Sequence, residues 1–165
     1  MRPLTIISLL LVIQIGVFGQ DKAIDYKELQ KKLPDNINGY AVDGDPDGSS
    51  FEMNGMSYST ASKSYKKGDA ELTIMIADYR GAASIYQAST IAWANGMSYE
   101  DDHQEAHGVS IEGSNGWFTL NKDENRAQLI VAYKNRYLVT IDASDTSDEG
   151  FVKAILQKLD LGSLP

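Results

Sequence analysis

Residues 126–143, RAQLIVAYKNRYLVTIDA, decide the fold class. Two runs dense in β-branched and aromatic residues, Arg126 to Tyr133 and Tyr137 to Ala143, are joined by a short charged turn, which is the pattern of paired strands. Upstream, His107 to Gly113 and Gly116 to Asn121 read as two more strands separated by Gly/Asn-rich turns. Downstream, Thr146-Ser147-Asp148-Glu149 forms a capping box, and Phe151, Val152, Ile155, Leu156 and Leu159 give the stripe of a helix that Gly162 ends.

The first half repeats the strand signal. Ser57 to Lys67 and Ala70 to Tyr79 flank Gly68-Asp69 as a hairpin, with Leu72, Ile74 and Ile76 alternating against Thr73 and Met75. The first arm is polar, which suits either a strand with one solvated face or an edge strand guarded by Lys63, Lys66 and Lys67. Before it, Ile24 to Leu33 carries a helical stripe that Pro34 stops. Between the halves lies Ala82 to Gly96, a helix inside a stretch with no charge from Arg80 to Glu100; apolar residues nearly surround it, so it is expected to be largely buried. If the sheet cannot cover it, the remainder is a patch that wants a partner. The expectation is an α+β domain over residues 20–165: a mainly antiparallel sheet of about six to seven strands with three helices packed on it, like an α/β/α sandwich.

The pentapeptide Asn-Gly-Met-Ser-Tyr occurs at Asn54 to Tyr58 and again at Asn95 to Tyr99. The flanks do not extend the match, so turn chemistry accounts for both: a tight turn between strands in the first case, a helix C-cap in the second.

Residues 1–19 read as an export signal. Arg2 gives a positive start, Leu4 to Val17 is an apolar run interrupted only by Thr5, Ser8, Gln14 and Gly16, and Val17-Phe18-Gly19 has the small-residue cleavage pattern. The run is shorter than the roughly 20 residues of a membrane span. With no cysteine in the chain there is no lipid attachment point, disulfide or thiolate metal site. The expected product is a free periplasmic or secreted protein of bacterial type, with no stable membrane anchor; the chain has no Asn-x-Ser/Thr sequon.

Acidic residues number 23 against 15 basic ones, for a net charge of −8. The basic residues are dispersed, so nucleic acid and anionic membranes are disfavoured as partners. No nucleophile elbow, phosphate loop or dinucleotide fingerprint is present.

Two candidate sites remain. Asp43, Asp45, Asp47 and Gly48 spell DxDxDG, in which alternate carboxylates converge on calcium; the twelfth position is Asn54 rather than Glu, and Glu52 stands where a shorter loop would take its last carboxylate. The alternative is an acidic solvated turn. The second candidate is His103 and His107, four apart among Glu100, Asp101, Asp102 and Glu105. On a helix they would share a metal; on a strand they would lie about 13 Å apart, and Gly108-Val109-Ser110-Ile111 favours the strand.

Leu33-Pro34, Gly39-Tyr40, the Ser-Tyr-Ser hairpin with Tyr65, Asp78 at a strand end, Gly113 and Arg136-Tyr137-Leu138-Val139 together resemble a family of small exported bacterial proteins of unknown function. More distantly, the element order is similar to the PsbP-like α/β/α sandwich. That resemblance implies a scaffold or binding role and carries over no functional residue. The first functional expectation is therefore a non-enzymatic binding or accessory module for a protein or small-molecule ligand. The alternative is a periplasmic hydrolase or metal-dependent enzyme using His103 and His107.

Overall fold

A computed structural model describes residues 22–94 and 96–165. The export segment Met1–Gly19 and the C-cap position Asn95 lie outside the described residues. The described residues form a ten-stranded antiparallel sheet with three helices. The α+β class is as expected, but the sheet has more strands than six or seven. Three of the additional ones are short, β1 (Asn36–Ile37), β2 (Tyr40–Val42) and, later in the chain, β6 (Ser98–Glu100), and the fourth is β3 (Asp47–Met53).

The long hairpin is β4 (Met56–Lys67) with β5 (Ala70–Gly81), turning at Gly68-Asp69 as read. β7 (Gln104–Ile111), β8 (Ser114–Asn121), β9 (Arg126–Tyr133) and β10 (Tyr137–Ala143) form a meander. The sheet order is β1-β2-β4-β5-β10-β9-β8-β7-β6, with β3 also on β4, so the first-half and second-half meanders are sewn together along β5–β10. There Val139 faces Ile76 and Ile141 faces Ile74. β4 is not an edge: β2 and β3 share its outer side, and residues 43–46 loop out between the two. Asn54 and Gly55, at φ 52° and 79°, make the β3–β4 turn, the left-handed geometry that Asn-Gly tolerates.

Alternation sorts the side chains. One face carries Leu72, Ile74, Ile76, Leu129, Val131, Val139 and Ile141, all buried, and is covered by α1 (Tyr26–Gln30) and α3 (Glu149–Leu156). α3 contributes Val152, Ile155 and Leu156, each side chain worth about 1.5–3 kcal/mol of burial. Its N-cap is Asp148, whose carboxylate accepts the Gly150 N–H, and not Thr146, whose Oγ1 accepts the Asp148 N–H instead. Aspartate caps as well as threonine, and the helix starts two residues later than the box implied. It also ends at Leu156, before Gly162, which lies in a closing 3-10 turn, Leu161–Ser163. The opposite face carries Ala77, Leu138, Ile130 and Ala132, covered by α2 (Ala83–Ala94). Among the described residues no helix is long and apolar enough to cross a membrane.

Two buried polar clusters fasten the chain ends and connections. Asp78, at 0% exposure, takes both Nε and Nη2 of Arg136 at 2.7 Å, and its oxygens also accept the Ile24 and Arg80 N–H groups. Ser57 Oγ accepts the Ala23 N–H, and Ser59 Oγ donates to the Ile24 carbonyl. At the same end, Arg136 and the Tyr137 hydroxyl donate to the Pro165 carbonyl. Lys63, expected as a surface guard, points inward: its buried ammonium donates to the Leu33 carbonyl at 3.0 Å and to Asp35 at 2.9 Å. Tyr65 donates to the Pro34 carbonyl, and burial followed by the nearby Asp35 charge pushes its hydroxyl pKa upward. A buried cation on the carbonyls just past α1 complements that helix's C-terminal end.

Candidate functional site

α2 packs through few residues. Tyr86 is buried against Ala77 and Leu138, its ring 6.4 Å from Tyr79, and Trp93 is half-buried beside Ile130 and Ala132. The helix was expected to be largely buried, and it is not: Ile85 is 38% and Ile91 66% exposed. Just beyond it, Met97 is 54% and Tyr99 53% exposed. Among the described residues, four of the five exposed large apolar side chains thus fall in one charge-free stretch, residues 81–99; the fifth is Met53. The helix is uncharged because its sequence is Ala/Ser/Thr-rich, and one sheet face can cover only one side of it.

Two hydroxyls of this helix bond to its own backbone. Ser89 Oγ donates to the Ile85 carbonyl at 2.9 Å and Thr90 Oγ1 to the Tyr86 carbonyl at 3.1 Å, so both hydroxyls spend their protons on their own helix. No acidic residue stands in its first turn and no basic residue in its last, although each would add about 0.3–1 kcal/mol against the helix dipole. A helix that forgoes this stabilisation and still exposes isoleucine breaks two surface rules at once, which is expected where function constrains the sequence.

β6 continues the patch. It is the last strand of the sheet, paired only to β7, with Ser98, Tyr99 and Glu100 all exposed. Its register with β7 places Met97 and Tyr99 on the α2 side of the sheet, in line with Ala106 and Gly108. Glu100 is held by Lys122 Nζ at 3.2 Å, and the Tyr99 hydroxyl donates to Asp101, which draws its proton more tightly and lowers the Asp101 carboxyl pKa. Phe51, Tyr58, Tyr79 and Tyr86 form a run of ring contacts at 5.1, 5.9 and 6.4 Å from β3 across the sheet to α2, anchoring the helix against its strands.

The acidic loop does not gather. Asp43 pairs with Lys66 at 3.0 Å, Glu52 with Lys22 at 2.8 Å, and Asp47 accepts the N–H of its neighbour Gly48; Asp45 is exposed. The two histidines sit on a loop running into a strand. His103 precedes β7 and contacts Asp123 at 2.9 Å, whereas His107, within β7, lies between Glu149 at 3.1 Å and Glu105 at 3.3 Å. Among the described residues no group of three or more histidines and carboxylates is placed to hold a metal ion, and no hydrogen bond joins either histidine to a serine or threonine.

A cleft of about 190 Å³ lies under the end of α3, lined by Ile111, Val131, Tyr133, Leu156 and Asp160, on the face away from α2. Its polar lining includes the carboxylates Glu112 and Asp160, and neither histidine is among the lining residues. No family model matches the chain, and neither does a curated protein or a solved structure.

Proposed function

We propose that this chain is a non-enzymatic binding or accessory module, exported to the periplasm or exterior by cleavage after Gly19, that docks a protein through α2 and β6. One observation carries the reading: in a chain where 23% of residues are charged, four of the five exposed large apolar side chains among the described residues fall in one uncharged stretch, residues 81–99. Exposed Ile91, Met97 and Tyr99, within nine residues of one another in sequence, have the composition that protein interfaces use, aromatic and Met-rich with charge depleted. Helices lie on both faces of the sheet, and a scaffold or binding role is what the PsbP-like resemblance implies.

The test is site-specific photocrosslinking in the native compartment. A photoreactive residue at Ile91 is expected to yield a discrete protein adduct that one at Asp69, on the β4–β5 turn, does not. Equal labelling from both positions, or none from Ile91, removes the docking reading. Amino-terminal sequencing of the same material is expected to begin at Gln20.

A further inference from the structure

We infer that the β6 edge pairs with the β6 edge of a second copy, antiparallel about a two-fold axis at Tyr99; this rests on the docking reading and names its partner. The backbone geometry supplies the register. The Met97 carbonyl accepts the Gly108 N–H and the Asp101 N–H donates to the Gln104 carbonyl, so the odd-numbered residues of β6 bond inward to β7. By the alternation of an antiparallel ladder, the N–H and C=O groups of Ser98 and Glu100 point out from the sheet. A two-fold axis at Tyr99 sets Ser98 opposite Glu100 of the second copy, and those residues exchange both their bonds, twice across the axis.

Charge confines where two copies can meet. Each copy carries a net charge of −8, so two copies repel over most of their surfaces, and the longest stretch free of charge in the described residues is 81–99. In the proposed register no like charges face each other: Glu100 meets Ser98, Asp101 meets Met97, and Tyr99 meets itself. Glu100 is already neutralised by Lys122 of its own chain. The other edges are less suited, because β1 has only two residues, and β3 carries Asp47 and Glu52 with the Gly48 N–H taken by Asp47. A two-fold axis perpendicular to the sheet leaves both α2 helices on one side, so Met97 and Tyr99 of the two copies meet beside the two helices that carry Ile91. A three-residue strand pairing alone is far below the roughly 1,000 Å² of a stable interface, so the pairing requires the apolar flank of Ile91, Met97 and Tyr99 to be buried with it.

Sedimentation velocity on protein expressed from Met1, over a range of concentrations, tests it. The wild type is expected to show a monomer–dimer equilibrium that tightens as salt is raised, since salt screens the repulsion of two acidic bodies. Ser98→Pro removes an outward N–H that makes no internal bond, and Tyr99→Lys sets two like charges opposite each other at the axis. Each is expected to weaken dimerisation by at least about tenfold while the monomer keeps its circular dichroism spectrum. Tyr99→Lys serves alone if the proline variant does not fold. A wild type that stays monomeric, or dimers that both substitutions leave intact, overturns the pairing. A monomer that still crosslinks another protein from Ile91 overturns only the self-pairing; a monomer that crosslinks nothing overturns the docking reading with it.

Discussion

Arg136→Met isolates what the buried ion pair contributes. The substitution keeps an apolar stem and deletes a guanidinium that gives Asp78 two bonds of 2.7 Å. The carboxylate, at 0% exposure, is then left with the Ile24 and Arg80 N–H groups as donors. Removing one partner of a buried pair costs about 3–5 kcal/mol, because the remaining charge stays out of water without its counter-ion. At about 2–4 °C per kcal/mol for a chain of this size, the melting temperature should fall by about 12 °C. Lys31→Met is the control: its 2.6 Å pair with Glu28 is exposed on both sides, and such pairs are worth about 0–1 kcal/mol. Calorimetry measures both, and hydrogen exchange adds a local readout, since the Ile24 amide should lose protection once its acceptor is disturbed. A fall of less than about 4 °C for Arg136→Met would place the pair with surface ion pairs and refute the argument from burial.

Three further outcomes are expected. Burial raises the Glu149 carboxyl pKa, but hydrogen bonds from Lys153 and His107 outweigh this and leave it below the ordinary 4.5. A depressed folded value gives stability that is fully present above pH 4.5 and is lost as pH falls below it, so Glu149→Gln should flatten the acid limb of a melting-temperature profile; unchanged limbs in the two proteins would count against it. Gly81→Ala sets a methyl 2.1 Å from Ser57 Oγ and 2.8 Å from the Ser57 backbone N and O, beside the β4–β5 register shift, and should destabilise by about 1–3 kcal/mol in urea titration; wild-type stability would show that the strands can part there. Millimolar calcium against chelator should leave the melting temperature unchanged, because Asp43 and Glu52 are engaged by lysines; a rise of about 2.7 kcal/mol at 100 times the dissociation constant would show the acidic loop closing on an ion.

The long elements were legible because their residues repeat a period. Leu72, Ile74 and Ile76 alternate, as do Leu129 and Val131, and all are buried on one face. The short strands were not, since the two residues of β1 and the three each of β2 and β6 hold no period; only the sheet neighbours that they find define them. Lys63 was misplaced because lysine in a strand reads as solvent-facing, and only the return of the Leu33-Pro34 segment over β4 offers it carbonyls. The candidate site was half legible. The missing charge from Arg80 to Glu100 was visible, but an uncharged helix reads as buried until the area available to cover it is known. Asp78 with Arg136 lies 58 residues apart in sequence, and no local pattern joins them.

The seam between β5 and β10 bears on the order in which the chain acquires its shape. The strands on either side are joined to their neighbours by hairpins or short links, contacts that a chain can find quickly by local search. The seam itself needs residues about sixty positions apart, and closing so long a loop is the slow, entropically costly step. The segment at Ile24 gains its Asp78 acceptor at the end of that seam, and the Pro165 carbonyl finds Arg136 and Tyr137 there. The Ile24 and Pro165 segments are thus fastened at one end of the same long-range seam, so loosening it at Arg136 is expected to free both together.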